Sequence, residues 1–403
     1  MDRRFCIDAK LLGTEKNFVG TSTGFSWSET VPKGSWHLTG ELKSTGKCLD
    51  TLIKLAGGTV PTPPQKYVNA FSGLTKEPVR WQLALPEAAF REYFKNIVGG
   101  TSAIFPTLSF DYFERAWAAG SRVLSQLRPA KINATVWREL SESTGPASVG
   151  IDTFKPGKTG YAAVPVYDRF STRTGRLIIS SGPAILNIRK DSRAVLKSAF
   201  EGGTICYLDF KALEPRIVLA ESGKATEAED LYADVAQEMF GGSVERDTVK
   251  AAVISMLYGI GRASLMIQLH ADDKKIDAFM ARIREYFGLN ELAARIRSGL
   301  GDKNVVVNRF GRRLTVEPDS RDAILINTYA QSTGVDVVLL GFDRILTHLG
   351  TDGIRPLFSL VDAVILDVAP ERVRDVQQVK SIDVPTYSAK FPIKYDVIVS
   401  PNT

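Results

Sequence analysis

The chain has 403 residues, 44% of them hydrophobic and 24% charged, with 51 Lys and Arg against 45 Asp and Glu for a net charge of +6. These proportions belong to a globular protein and exclude a disordered or fibrous one, and the length allows roughly two to four domains. The mild positive balance permits an acidic partner such as nucleic acid without requiring one. Cys6, Cys48 and Cys206 are too few and too scattered for a disulfide framework and form no CxxC pair. His37, His270 and His348 stand at no metal-ligand spacing, which weakens a zinc hydrolase or a histidine-based triad. No uninterrupted apolar run reaches the roughly 18 residues of a membrane span, and MDRRFCIDAKLLG lacks the apolar stretch of a signal peptide. The expectation is a cytoplasmic protein without a membrane partner.

In chain order, residues 1–60 are rich in Gly, Ser, Thr and Lys and read as strands and loops. VPTPPQ (60–65) reads as a break. From about 75 to 143 the apolar spacing is helical, as in PEAAFREYFKNIV and FERAWAAGSRVLSQL. Trp27, Trp36, Trp81, Trp117 and Trp137 all fall in the first third, which sets that part apart in composition. TICYLDF (204–210) is a strand-like apolar run that delivers an Asp near its tip. Helical spacing returns over 226–242, 245–259, 275–299 and 320–349, and VVVNRFGRRLTVE reads as a hairpin. PLFSLVDAVILDV (356–368) reads as a second strand-like run, with an acid embedded in it.

Two of these acids invite chemistry. Asp209 and Asp362 each sit in apolar surroundings, where an unpaired charge is costly. Brought together on neighbouring strands, they would suit hard divalent cations with oxygen ligands and in-line phosphoryl chemistry. Either Asp alone could equally cap a strand. Arg246 and Lys250 stand at i and i+4 and share a helical face, so both cations can meet one polyphosphate. The full string Arg246-x3-Lys250-x7-Tyr258-Gly259 is much rarer than an isolated Arg/Lys pair.

At this point the chain resembles the family A DNA polymerases. LDFKALEPRIVLAESG resembles their first polymerase motif, with Asp209 on the metal-binding Asp, Glu214 on the sugar-sensing Glu and Arg216 on the Arg that follows. Arg246, Lys250, Tyr258 and Gly259 match the fingers-helix motif, and FSLVDAVIL resembles the third motif, with Asp362 on its metal-binding Asp. Thr174-Gly175-Arg176-Leu177 with Ser180, Ser181, Pro183 and Asn187, then Phe310-Gly311-Arg312-Arg313-Leu314, then Asn327 and Gln331, resemble three lesser motifs in the family's order. The resemblance spans about 170 to 370. There are departures. Val361 and Ala363 flank Asp362 where the family has His and Glu, Ile254 replaces a frequent aromatic, and Tyr232 stands at the place of a common phosphate-binding His.

The resemblance implies an α+β, right-hand polymerase with an antiparallel palm sheet. It divides the chain into an N-terminal region of unclear role (1–70), a thumb (71–170), palm (171–220), fingers (221–335) and the rest of the palm (336–403). It implies template-directed addition of deoxynucleotides to a primer 3′ end. Two Mg²⁺ ions, replaceable by Mn²⁺, would be held by Asp209, Asp362 and the Phe210 carbonyl. Arg246 and Lys250 would take the triphosphate, Lys250 acting on the leaving pyrophosphate, with Tyr232 and Ile254 also lining the nucleotide. Tyr258 would pack on the nascent pair and Glu214 would crowd a 2′-hydroxyl. Arg176, Gly259, Asn327, Gln331 and Arg312 would meet primer and template. The implied partners are primer-template DNA, dNTPs and a processivity or replisome protein. The expectation is a monomer of phage or plasmid type. No D-x-E occurs in residues 1–150, which predicts no 3′–5′ proofreading. Two readings compete: a single-subunit RNA polymerase, against which Glu214 argues, and a degenerate polymerase fold that only binds nucleic acid.

Overall fold

The computed structural model describes residues 5–7, 16–21, 24–33 and 35–38, isolated positions between 86 and 116, and 118–400 apart from short gaps at 169–171, 260–261, 270–272 and 303. The chain divides into two compact units, Met1–Ser109 and Phe110–Thr403. This division falls inside the 71–170 segment. The first unit holds a four-stranded sheet in the order Gly24–Ser28, Asn17–Thr21, Phe5–Ile7, Trp36–Leu38, antiparallel except for the last pair. The break at 60–65, and most of the helical spacing predicted over about 75–143 that precedes residue 118, lie outside the described residues. Of that helical stretch, Ala118–Ser125 and Ala134–Glu142 are described and are helices.

The second unit is built on a five-stranded antiparallel sheet, and its centre is the strand Thr204–Phe210. The sequence TICYLDF suits that position because β-branched and aromatic residues fit a pleat covered on both faces. Ala363–Val368 pairs along one side of it and Phe391–Val399 along the other. Ile354–Ser359 and Ser381–Ile382 close the two edges. Alternation sends Ile205 toward a core shared with Ile365, Phe358, Ile151, Phe154 and Leu196. On the opposite face, Phe210 meets Phe342 with ring centroids 5.5 Å apart. Phe342 lies on the helix Asp322–Leu349, which crosses that side of the sheet. The approach is close enough that a Cβ on Gly341 would sit 2.6 Å from Phe210 Cζ.

That 28-residue helix is apolar and long enough to cross a membrane by length and composition alone, yet 83% of its apolar window is buried within the fold, so it is the core helix.

Three predicted elements are corrected. The run 356–368 is not one strand but two antiparallel strands, Ile354–Ser359 and Ala363–Val368, and Asp362 sits in the turn between them. Apolar residues on both sides of the turn hid it. The helix predicted over 275–299 is two, Asp273–Tyr286 and Leu289–Ser298, broken where Gly288 takes φ +58. A side chain there would meet Ser222 Cβ at 2.6 Å, so the position requires glycine twice over. The helix predicted from 226 starts at Leu231, because the Asp230 carboxylate accepts from the amides of Tyr232 and Ala233 and fixes the N-terminus there. The predicted hairpin is present as Val305–Val307 paired with Arg313–Thr315. Helices 231–240, 246–257, 273–286 and 289–298 pack around one apolar cluster with Phe287 and Ile276 fully buried, on the side of the unit that faces the end of the sheet carrying Asp209.

Candidate active site

The sheet register sets the site. Ala363 pairs with Asp209, and the amide of Phe210 donates to the carbonyl oxygen of Asp362 at 3.0 Å. The two acids therefore arrive side by side at one end of the sheet, one near the end of the central strand and one in the adjoining turn. Directly after the strand, Ala212 takes φ +50 and the chain turns into the helix Leu213–Glu221, which places Glu214 one turn from Asp209.

Opposite them the helix Arg246–Leu257 presents Arg246, Lys250 and Ile254 on one face and ends at Tyr258, and Gly259 follows with φ +74. All of these except Gly259 line a single cleft of about 760 Å³ together with Asp209, Phe210, Glu214, Tyr232, Gln331 and Asp362. Arg176 also lines it, reaching in from the loop before the strand Ile178–Ser181. Its guanidinium donates to Glu214 Oε1 at 2.7 Å and to the Tyr258 hydroxyl at 2.9 Å, so one side chain joins the helix after the central strand to the end of the facing helix. Arg246 donates to Asp230 at 2.6 Å and to Asp247 at 2.5 Å, and its guanidinium lies 5.7 Å from the Tyr232 ring centroid. Lys250 makes no ion pair among the described residues and is exposed to the cleft.

Three predicted contact residues lie off the cleft lining. Gly259 abuts the long helix, where a Cβ would stand 3.1 Å from that of Ala323. Asn327 is half-buried on the same helix. Arg312, expected to meet primer and template, is buried, and its guanidinium is engaged with Asp336 at 2.8 Å. Sequence reasoning also missed Lys211, Asp230 and Lys394, which line the cleft. Asp230 was legible as an N-cap ahead of an apolar helix. Nothing local marked Lys394. Arg216 touches the cleft wall but is buried, donating to the carbonyls of Lys211, Thr226 and Ala228, so it ties down the loop that carries Asp230.

Electrostatically the palm side is strained. Burial, then repulsion by Asp362, pushes the Asp209 carboxyl up to about 7. Burial likewise raises Asp362, opposed by its own backbone amide, even though the turn leaves its outer surface open to the cleft. Asp209 Oδ1 is buried and accepts no hydrogen bond among the described residues. An unsatisfied buried carboxylate oxygen costs stability, and a hard divalent cation is the partner that such an oxygen fits. The donor set is small. No group of three or more His, Cys, Asp or Glu at metal-binding distance exists among the described residues, so two carboxylates and backbone oxygens would do the holding.

The sequence profile of DNA polymerase family A matches residues 117–402. The chain is 25% identical over 329 residues to DNA polymerase I of Rhizobium leguminosarum, covering 71% of this chain and 32% of that protein. It is 26% identical over 262 residues to the thermostable DNA polymerase I of Thermus aquaticus, covering 57% and 31%. It thus spans about a third of the length of the curated relatives it matches. The POL domain of Pol1 from M. smegmatis, solved in complex with DNA primer-template and dNTP, superposes with a TM-score of 0.58 at 13% identity, over 99% of this chain and 96% of that one. That likeness shows the α+β polymerase fold. The profile match covers most of the chain and includes both cleft acids and the fingers helix, and the chain belongs to DNA polymerase family A.

Proposed function

We propose that the chain is a DNA-directed DNA polymerase that extends a primer 3′ end by template-directed nucleotidyl transfer. The observation that carries this is the convergence, in one cleft, of Asp209 and Asp362 from the sheet with Arg246 and Lys250 from the facing helix. Divalent cations held by the two carboxylates and the Phe210 carbonyl would lower the pKa of the primer hydroxyl and offset triphosphate charge.

The chain's own side chains supply the rest. Lys250 and Arg246, one helical turn apart, contact the triphosphate, and Lys250 donates a proton or its charge to the departing pyrophosphate. Tyr258 at the end of the helix packs on the nascent pair. Glu214, held by Arg176, occupies the space a 2′-hydroxyl would need and so rejects ribonucleotides by clash. Gln331 faces the cleft from the long helix, where it can meet the primer-template minor groove, whose readout follows shape more than sequence. Rotation of the facing helix onto a correct pair would break the Arg176–Tyr258 contact, which gates the site by induced fit. The same reading has this chain extending without proofreading, as the missing D-x-E motif predicts.

Primer extension tests it. Wild-type protein with Mg²⁺, dNTPs and a primed template should add nucleotides in template order, Asp362→Ala should not, and a mismatched primer end should persist unexcised. If wild type extends nothing, or Asp362→Ala extends equally, the proposed activity is wrong. Equal use of dNTPs and NTPs would favour an RNA polymerase.

A further inference from the structure

The central strand and its neighbour Phe391–Val399 place four side chains in a block on the cleft-facing side of the sheet. Lys394 is paired with Asp209, and Asp396 with Tyr207. Directly opposed residues in an antiparallel pair have Cβ atoms roughly 4.5–5.5 Å apart, so the Lys394 ammonium can reach the Asp209 carboxylate. It is instead turned along its own strand. Lys394 Nζ lies 2.5 Å from Asp396 Oδ2, and that same oxygen accepts from the Tyr207 hydroxyl at 2.7 Å. Asp209 Oδ1 remains without a hydrogen bond among the described residues. On the other side of Asp209 its partner is Ala363, which brings no charge.

We propose that Tyr207 and Asp396 form a brace that holds the Lys394 ammonium clear of Asp209, and that this brace keeps Asp209 open to a divalent cation. Asp396 and Tyr207 are positioning residues that act through Lys394. The inference rests on the metal-binding reading of Asp209 given above. A lysine beside a two-carboxylate site is the metal's nearest competitor, because a compact ammonium with three donors satisfies a carboxylate as a cation does. Asp396 removes that competition by offering the ammonium a second carboxylate, already oriented by a phenolic hydrogen bond. Burial pushes the Asp396 carboxyl up, but the hydrogen bonds from Lys394 and Tyr207 outweigh it and hold it below the usual carboxylate range, while Lys394 acts on Asp209 through space only.

The test measures Mn²⁺ binding to the protein on primer-template DNA without nucleotide, by electron paramagnetic resonance of free Mn²⁺, with stability followed in parallel by thermal unfolding. Asp396→Asn keeps the acceptor for Tyr207 but frees Lys394. It should weaken Mn²⁺ binding roughly tenfold or more, the range typical of residues that orient metal ligands. Tyr207→Phe should shift binding the same way by less. Adding Lys394→Met to Asp396→Asn should restore binding to at least the wild-type level, and Lys394→Met alone should not weaken it. A merely structural role for Asp396 would not be rescued by deleting its neighbour. The inference is overturned if Asp396→Asn binds Mn²⁺ like wild type, or if the double variant stays weak, while Asp209→Asn abolishes binding. If Asp209→Asn changes nothing either, the metal-binding reading falls and takes the brace with it.

Discussion

Asp209 and Asp362 are held as neighbours by one backbone hydrogen bond, Phe210 N–H to the Asp362 carbonyl at 3.0 Å. Phe210 is in turn clamped between Phe342 and Phe391, with centroids 5.5 and 6.3 Å away. The distance between the two carboxylates is therefore set by sheet pairing and by aromatic packing on the other face, rather than by mobile loops. Replacing either acid by Asn preserves that geometry and removes one ligand charge. With metal chemistry contributing several kcal/mol to such transfers, and about 1.4 kcal/mol per decade of rate, Asp209→Asn and Asp362→Asn should each lower the single-turnover extension rate by about a thousandfold. Primer-template affinity, measured by fluorescence anisotropy, should stay within about threefold.

The elevated carboxyl of Asp209 has a thermodynamic signature. Burial and Asp362 push it up to about 7, whereas in the unfolded chain it titrates near about 3.9. An acid whose folded pKa is raised binds its proton more tightly when folded, so ionising it costs stability. That cost is complete above about pH 7, shrinks as the pH falls, and vanishes below about pH 4. In EDTA, Asp209→Asn should therefore melt at a higher temperature than wild type at pH 8, with the gap closing by pH 4. A gap of the same size at both ends, read by circular dichroism, would show that Asp209 does not titrate in this range.

The two fingers cations are not equivalent. Arg246 is already shared between Asp230 and Asp247, while Lys250 carries no ion pair among the described residues. A free ammonium has more charge to give a triphosphate. Removal of a single transition-state donor typically costs about 10²–10³ in kcat, and Lys250→Ala should show that loss. Arg246→Ala should act mainly on the KM for dNTP, by about tenfold, because part of its charge is already spent. Steady-state primer extension separates the two, and an equal kcat loss for both would contradict the distinction.

Glu214 stands 2.7 Å from Arg176, which reaches on to the Tyr258 hydroxyl at 2.9 Å. Shortening the side chain opens the space that excludes a 2′-hydroxyl. Glu214→Ala should raise ribonucleotide incorporation relative to deoxynucleotide by about a hundredfold, within the range that clash-based selection reaches. Glu214→Gln keeps the bulk and should change that ratio little. Competitive incorporation of ATP and dATP opposite a template T reads the outcome.

Much of the architecture was legible locally. The central strand announced itself as an apolar, β-rich run ending in an acid, and the facing helix announced itself by the one-face spacing of Arg246, Lys250 and Tyr258. What was not legible depended on partners distant in the chain. The turn at Asp362 is hidden because Leu360, Val361 and Ala363 continue an apolar pattern, and only pairing with the central strand requires a bend there. Gly288 breaks a helical pattern because Ser222, in another helix, leaves no room for a side chain. Lys394 is an unremarkable lysine until register sets it opposite Asp209. The resemblance implies that Arg312 meets primer and template, and nothing local announces that Asp336 will be buried beside it.

The Arg312–Asp336 pair therefore makes a clean stability prediction. Both side chains are within the core, at 5% and 0% exposure, and Asp336 also accepts from the Asn308 amide at 2.7 Å. Taking away one member leaves a desolvated charge facing an unpaired site, which typically costs about 3–5 kcal/mol. Arg312→Met and Asp336→Leu should each destabilise by that amount. The double variant, with both charges replaced by apolar groups, should recover much of the loss, since the apolar pair avoids the desolvation penalty. Gly175 ties this pair to the cleft. It has φ +80, and a Cβ there would fall 1.8 Å from Arg312 Nη1, so Gly175→Ala must dislodge the guanidinium. It should lower the melting temperature and also slow extension, because the next residue is Arg176. In the Arg312→Met background the clash partner is gone, and Gly175→Ala should then cost only the strain of its positive φ, about 1–2 kcal/mol. Equal destabilisation by Gly175→Ala in both backgrounds, measured by urea unfolding, would separate the loop from the buried pair and disprove the coupling.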